Sequence, residues 1–327
     1  METKSHIANA LEVADEKARY DDCAKKILSN KVILAHIMKD TMAEFKDVPL
    51  DTTMQCIEGT PDVGIVPLYP GKEKPEAITG LPTEDIVPNE GEVRYDIRFY
   101  AVTPDSHEKI FIDVEIQNSF NVDYDFSARG IFYGARMLSS QLDTEFTTDH
   151  YNGIKKVYSI WIVTDAPLDV ANQIAEYSIS KKDVHGHFDR KMKYDLLSVV
   201  LVFLDMKHKR KTKNQGTKLH GLLNTLFTAE LTPDEKETIL EEEYDIRRTL
   251  DRKELLTNMC NLSQGIENKG IQKGIQQGVQ QGAYRANYES AKQLMLSGVS
   301  LEIIKPAMPN LSDADFAAIQ KEIAQNN

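Results

Sequence analysis

The sequence predicts an α/β protein in which helices flank a mixed central sheet, followed by an α-helical C-terminal extension. Residues 92–101 and 109–117 alternate between apolar and polar side chains, which predicts a β-hairpin. Residues 123–142 then show helical spacing, and the apolar runs 157–163 and 196–204 are typical of buried strands. A hairpin, a helix and buried strands in this order are characteristic of α/β folds with a mixed sheet.

The two faces of the predicted hairpin differ sharply in polarity. One face is apolar, formed by Val93, Tyr95, Ile97, Phe99, Ile110, Ile112, Val114 and Ile116. The other carries Asp96 in the first strand and Asp113, Glu115 and Gln117 in the second. Successive side chains of a strand point to opposite faces, so we expect these polar groups to lie on one side of the sheet.

Four segments are predicted along the chain. They are an N-terminal lead-in (1–30), an α/β domain (31–206), a basic linker with a helical region (207–262), and a glycine-rich helix with a helical tail (263–327). A helix over residues 31–45 opens the α/β domain. The proline- and glycine-rich residues 61–88 predict a long connection with at most short strands.

Composition excludes several classes of protein. The chain has 327 residues and a net charge of −12, which argues against indiscriminate coating of nucleic acid but leaves local basic patches open. Its longest apolar run is far shorter than the roughly 20 residues of a membrane-spanning helix. Three scattered cysteines form neither a disulfide framework nor a zinc motif, and no phosphate-binding glycine loop indicates a nucleotide cofactor. We therefore expect a cytoplasmic protein.

The polar face of the hairpin suggests metal chemistry. Acidic residues are depleted in strands, and buried charges are costly unless they are paired or bind a metal. A divalent cation between Asp96 and Glu115 would turn their repulsion into binding, and magnesium prefers such oxygen ligands. The alternative is that this face is exposed to solvent and its acids pair with Arg94 and Arg98. Asp113 is a candidate for a further metal ligand. The alternative is that it lies next to the ligands and forms an ion pair.

The chain resembles a known nuclease family. The resemblance rests on four segments: residues 92–100, 113–118, 129–141 and 155–162. These are similar to the PD-(D/E)XK nuclease family transposases, relatives of the recombination-promoting nucleases of bacteria. The resemblance implies a restriction-endonuclease-like core, with Asp96 as the first metal ligand and Glu115 as the second. Gln117 stands where the superfamily usually has lysine.

The implied activity is a DNA endonuclease that depends on Mg²⁺, with Mn²⁺ as a substitute, and acts in transposition or recombination. Two departures bear on this inference. Glutamine cannot supply the charge of lysine, and Tyr95 replaces the usual proline before Asp96. A literal Pro61-Asp62 pair lies in the proline-rich connection and is interpreted as unrelated to the site.

Further site residues are suggested around this core. Glu44, on the first predicted helix, matches the position of an additional acid in the superfamily, unless it is an ordinary exposed glutamate. Candidate phosphate contacts are Arg129, Arg136, Lys155 and Lys156. Lysines at strand ends are common in any protein, so the last two also allow a purely structural role.

The C-terminal region suggests self-association. Gly270, Gly274, Gly278 and Gly282 recur every four residues, so they share one side of a helix. Such a stripe permits close approach of a second helix, which predicts a homo-oligomer through the C-terminal helices. Two rival functions stay open: a catalytically silent DNA-binding or oligomerising protein with the nuclease fold, and a hydrolase of RNA or nucleotides.

Overall fold

The computed structural model describes five stretches of the chain: residues 6–59, 61–63, 84–87, 91–206 and 216–325. The chain divides into two compact units, Met1–Ser263 and Gln264–Asn327. Within the described stretches, no helix is long and apolar enough to cross a membrane. The basic part of the predicted linker, residues 207–213, lies outside the described residues.

A mixed sheet forms the centre of the first unit. The strands described are β1 Asp62–Val63, β2 Glu84–Val87, β3 Gly91–Arg94, β4 Ile97–Val102, β5 Lys109–Gln117, β6 Lys156–Val163, β7 Ile174–Ser178 and β8 Leu197–Phe203. Six of them form one sheet in the order β1-β4-β5-β6-β8-β7, and β2 pairs with β3 separately. Strands β5, β6 and β8 are parallel, whereas β1, β4 and β7 run antiparallel to their neighbours. The prediction of an α/β fold on a mixed sheet is confirmed.

Helices cover both faces of this sheet. The helices of the described residues, in both units, are α1 His6–Leu28, α2 Lys31–Thr41, α3 Leu50–Cys56, α4 Phe126–Ser139, α5 Lys218–Phe227, α6 Pro233–Tyr244, α7 Leu250–Leu296, α8 Leu301–Ala307 and α9 Asp313–Gln325. Helix α4 packs on one face through Tyr133 and Met137, against Trp161 of β6. Helices α1, α2, α5 and α6 share a larger core with the opposite face.

The N-terminal region contributes to this larger core. Residues 1–30 were expected to be a lead-in segment, but α1 is a long helix that ends at Leu28. Ala24, Ile27 and Leu28 are fully or almost fully buried in the same cluster as β5 and β6. The polar composition concealed this helix; among its described side chains, 15–28, the buried ones lie in the last two turns.

The first strand of the hairpin is broken where the sequence predicts continuity. The stretch 92–101 forms β3 and β4, separated by Tyr95 and Asp96. Tyr95 packs with α4, while Ile97 packs in the core on the other side of the sheet. The predicted common apolar face is therefore wrong. The chain bends at Asp96, because the polar groups of this residue bond to Glu115 and Ile116 of β5.

The second unit is helical. It contains the later part of α7, together with α8 and α9. Its small core consists of Ala291, Ile304, Met308, Leu311, Phe316 and Ile319. The glycine repeat lies within α7, and a Cβ atom built at Gly274, Gly278 or Gly282 would meet no other atom within 4 Å.

Two glycines set the close approach of α4 to the sheet. A Cβ atom at Gly130 would overlap Val199, and one at Gly134 would overlap Leu197, both residues of β8. Helix α4 is therefore held closer to the sheet than a helix with larger side chains could be.

Replacing Gly134 by valine should destabilise the protein by about 1–3 kcal/mol, because the new side chain overpacks the contact with Leu197. Chemical denaturation of the two proteins measures this change. Ala128→Val is the matched control on the same helix, and it should change the stability by less than about 0.7 kcal/mol because Ala128 is exposed. Equal stability of Gly134→Val and the wild type would contradict the close contact.

Candidate active site

Two carboxylates of β5 are buried between the sheet and α4. Asp113 is 0 % exposed and Glu115 is 5 % exposed. In the sheet register, Asp113 lies between Arg98 of β4 and Ser159 of β6, and Glu115 lies beside Trp161. The alternative in which this face is exposed to solvent is therefore wrong. Arg98, a predicted partner of these acids, is itself buried beside Asp113.

Asp96 and β5 are joined by a reciprocal pair of hydrogen bonds. The backbone N–H of Asp96 donates to Glu115 Oε1 at 2.8 Å. The backbone N–H of Ile116 donates to Asp96 Oδ2 at 2.9 Å. These two bonds replace ordinary strand pairing at this point, and they fix the side chains of Asp96 and Glu115 next to each other. The structure thus brings the two predicted metal ligands together.

A chain of hydrogen bonds leads from Asp113 into the core. Ser159 Oγ donates to Asp113 Oδ2 at 3.0 Å. The indole Nε1–H of Trp161 donates to Ser159 Oγ at 2.9 Å. A hydroxyl that accepts from the indole directs its own proton to the carboxylate, so this chain holds Asp113 in one orientation.

Burial and mutual repulsion oppose the charged forms of these acids. Burial is the main cause that raises the pKa of Asp113 to about 7. Burial, followed by the charges of Asp113 and Asp96, raises the pKa of Glu115 well above its usual range. Burial also raises the pKa of Asp96, against the opposing effect of Lys25. Burial and repulsion therefore oppose the charged forms of these acids, and a bound cation would favour them.

The N-terminal helix contributes a cation that the sequence analysis missed. Lys25 Nζ of α1 lies 2.8 Å from Asp96 Oδ1 and 2.8 Å from Asp21 Oδ2. The i,i+4 spacing of Asp21 and Lys25 is visible in the sequence and predicts an ion pair on a helix. Nothing in the sequence, however, indicates that this pair meets Asp96.

Gln117 is held by the loop that follows β5. Tyr124 Oη donates to Gln117 Oε1 at 2.9 Å, and Gln117 Nε2 donates to the Ser119 carbonyl oxygen at 3.2 Å. The amide is thus fixed at the end of the carboxylate strand. It contributes no positive charge there.

The two candidate arginines of α4 occupy different environments. The guanidinium carbon of Arg129 lies 4.7 Å from the ring centroid of Tyr124 and 5.2 Å from that of Trp161. Arg129 Nη2 also donates to Tyr133 Oη at 2.8 Å, and the side chain is half-buried near Glu115. Arg136 is 4 % exposed, so that its predicted contact with phosphate does not agree with the structure. Arg136 lies one turn after the buried Tyr133, on the same side of α4.

Glu44 does not join the cluster. Tyr158 Oη donates to Glu44 Oε2 at 2.8 Å, and Lys156 Nζ lies 3.0 Å from Glu44 Oε1. Tyr158 belongs to the large core on the other face of the sheet, opposite the face of Glu115 and Trp161. The structure therefore places Glu44 across the sheet from Glu115, and Glu44 bonds to Tyr158 and Lys156 instead, which argues against its predicted role as a metal ligand.

The lysines at the start of β6 are also away from the carboxylates. Lys156 pairs with Asp195 in addition to Glu44, so its charge is already compensated. The backbone N–H of the half-buried Lys155 donates to Gln141 Oε1 at 2.8 Å. Both residues lie at the opposite end of the parallel strands from Gln117, which pairs with Val163.

The Pro61-Asp62 pair belongs to the sheet rather than to a loop. Asp62 starts β1, where it is opposite Arg98 of β4 in the antiparallel register. Asp62 therefore lies in a short strand, as the prediction for residues 61–88 allowed, and not in a loop. Asp96 remains the aspartate whose side chain meets β5.

The donor set suits a hard divalent cation. Among the residues that the structure describes, no group of three or more His, Cys, Asp and Glu side chains is arranged to hold a metal ion. Magnesium, however, commonly takes only one or two protein carboxylates and completes its shell with water and phosphate. Asp96 and Glu115 offer two such oxygen donors side by side.

A comparison with protein families identifies the chain. Residues 86–267, more than half of the sequence, match the family model described as PD-(D/E)XK nuclease family transposase. The chain belongs to this family. Comparisons with curated proteins and with solved structures gave no significant match. The family match confirms the resemblance predicted from the motifs, and it covers Asp96, Glu115 and Gln117 of this nuclease-family protein. Helix α1 lies before the matched residues.

The buried carboxylates of this PD-(D/E)XK family member should make its stability depend on pH. A group whose folded pKa is raised stabilises the protein below its unfolded pKa, and this contribution is lost as the pH rises through the folded pKa. For Asp113, the loss falls between about pH 4 and pH 7. In EDTA, the unfolding free energy should fall over this range by an amount on the order of a few kcal/mol.

Asp113→Asn keeps the acceptor for Ser159 but removes the titrating group, so its unfolding free energy should vary less between pH 4 and pH 7. Denaturant titrations of the two proteins at several pH values measure the difference. Parallel pH profiles would show that Asp113 is not a source of the dependence.

Proposed function

We propose that this protein is a metal-dependent DNA endonuclease that hydrolyses phosphodiester bonds during transposition or recombination in the bacterial cytoplasm. The observation that carries the proposal is the hydrogen-bonded pair of the partly buried Asp96 and the buried Glu115, within the residues that match a nuclease family. Fixed, adjacent carboxylates of raised pKa have a clear use in binding a cation, and their burial is otherwise costly.

Asp96 and Glu115 would hold the divalent cation, Mg²⁺ or in its place Mn²⁺. When bound, such an ion polarises the scissile phosphate and lowers the pKa of an attacking water. Asp113 keeps the pair in place through its contact with Glu115 and its bond to Ser159. The roles of the carboxylates are therefore to bind and to orient.

Gln117 and Arg129 would act on the substrate side of the cluster. The fixed amide of Gln117 can orient water or a phosphate oxygen by hydrogen bonding. Arg129 is stacked among aromatic rings, and this stacking limits the motion of its planar guanidinium. Guanidinium donors bind phosphate oxygens in a bidentate manner, which would stabilise negative charge on the phosphate during cleavage.

The main rival is a catalytically silent protein that binds DNA or oligomerises. Calorimetry with Mg²⁺ and Mn²⁺ separates the two, because a silent fold does not need to bind either ion. A preference for RNA or nucleotides is tested by offering plasmid DNA, RNA and nucleotides side by side.

Loss of either motif carboxylate should abolish cleavage. Asp96→Asn and Glu115→Gln retain the shape of each side chain but remove a charge that binds the cation. Cleavage of supercoiled plasmid with Mg²⁺ or Mn²⁺ should fall by at least about a hundredfold in both variants.

Glu44→Gln is the matched control for the loss of one acid, since Glu44 lies on the face of the sheet opposite Glu115. Plasmid cleavage by this variant should equal that by the wild type. Circular dichroism verifies that each variant is folded. Wild-type cleavage by folded Asp96→Asn would overturn the assignment.

The proposal includes self-association through the C-terminal unit. Ile271, Ile275 and Val279 each follow a glycine of the repeat in α7, and all three are exposed. Helical glycines cost about 1 kcal/mol each relative to alanine, so an isolated helix with this repeat is weak. A second copy packed along the glycines would cover the apolar side chains and stabilise the helix.

Ile275 is 62 % exposed, and Ile275→Lys should therefore dissociate the oligomer without unfolding the chain. Sedimentation velocity compares its mass with that of the wild type. Gln277→Lys, which adds the same charge on another side of the helix, is the control. A monomeric wild type would contradict this part of the proposal.

A further inference from the structure

Lys25 is a buried ammonium group at the edge of the carboxylate cluster. Its side chain is 6 % exposed and lies 2.8 Å from both Asp96 and Asp21. Burial of a lysine is costly unless opposite charges compensate it. Burial lowers the pKa of Lys25, but the attraction and hydrogen bonds of Asp96 and Asp21 together outweigh it and raise the pKa, so the side chain stays charged.

The helix that carries Lys25 is fixed. Ala24, Ile27 and Leu28 surround it in sequence and are buried in the core against the sheet. Asn118, just after β5, adds a contact at 3.5 Å between its Nδ2 and Asp21 Oδ1. Lys25 is therefore held at one position beside Asp96, unlike a surface lysine that samples many conformations.

Two other positive groups near the cluster act on acids other than Asp96: Arg129 on Glu115 and Arg98 on Asp113. Arg129 is stacked on aromatic rings on the α4 side and donates to Tyr133. Arg98 is buried opposite Asp113, and its Nη2 donates to Ser140 Oγ at 3.1 Å. Gln117 is neutral. The cation in direct contact with Asp96 is Lys25.

We propose that Lys25 is a positioning residue of the active site, which orients Asp96 and supplies beside it the positive charge that Gln117 does not provide. This inference rests on the proposed nuclease function. It also extends the site beyond the residues of the family match, because α1 precedes residue 86.

This role has a signature that a purely structural role lacks. The ammonium of Lys25 and a divalent cation on Asp96 repel each other, since both are positive. Removal of the ammonium should therefore tighten cation binding while cleavage slows. A lysine that only holds α1 in place would, when removed, lower stability and weaken cation binding and cleavage together.

The experiment compares Lys25→Gln, Lys25→Arg and the wild type in the full chain. Lys26→Gln is the matched control, because Lys26 is adjacent in α1 but exposed. Calorimetry measures Mn²⁺ binding, a plasmid assay at saturating Mg²⁺ measures cleavage, and thermal unfolding shows whether each variant is folded. For Lys25→Gln we expect Mn²⁺ binding to tighten by about tenfold or more and cleavage to slow by about a hundredfold.

Lys25→Arg preserves the charge, so its Mn²⁺ affinity and cleavage should stay close to those of the wild type, as should those of Lys26→Gln. Folded Lys25→Gln that cleaves like the wild type, or that binds Mn²⁺ more weakly, overturns the proposal. If Lys25→Gln does not fold, Lys25→Arg tests the proposal. DNA cleavage by Lys25→Arg supports the proposal, and a folded Lys25→Arg that does not cleave DNA overturns it. A wild type that cleaves no DNA overturns the proposed function, whereas tighter Mn²⁺ binding by Lys25→Gln would still support the electrostatic role.

Discussion

Asp113 and Glu115 are removed from water in the middle of a sheet, and the structure around them is organised by the cost of that burial. Each acid obtains a hydrogen-bond donor from a neighbouring strand: Ser159 Oγ for Asp113 and the Asp96 backbone N–H for Glu115. These donors compensate only part of the lost hydration, which is why the pKa of both acids stays raised. The burial of these acids lowers the free energy of unfolding, and the same contacts fix the carboxylates in one arrangement.

The break between β3 and β4 follows from the same constraint. A continuous strand would pair the backbone of Asp96 with β5 and leave its side chain without a donor. Instead, backbone and side chain exchange roles, since the Asp96 N–H bonds a carboxylate and the Asp96 carboxylate accepts a backbone N–H. The chain then passes from one layer of the protein to the other, with Tyr95 in the smaller core and Ile97 in the larger.

Local pattern was sufficient for β5, the mixed sheet and the juxtaposition of Asp96 and Glu115, because the alternation in β5 identifies which of its side chains share a face. It failed at the first strand of the hairpin, where the bend at Asp96 puts Tyr95 and Ile97 in different cores. Local pattern also did not predict where the helices pack. The sequence placed Glu44 on a helix, but which face of the sheet that helix covers depends on tertiary packing. Lys25 was missed for the same reason. Burial of Arg136 could have been predicted, because it lies three residues after Tyr133, on the same side of the helix.

Trp161 is the single tryptophan of the chain, and it lies at the site. Its indole donates to the serine that bonds Asp113, and the Arg129 guanidinium lies over its ring. Indole emission is sensitive to nearby charge and to the polarity around the ring. The protein therefore carries an intrinsic fluorophore at its carboxylate cluster, and occupation of this cluster can be followed in the unlabelled wild-type chain by its ultraviolet fluorescence.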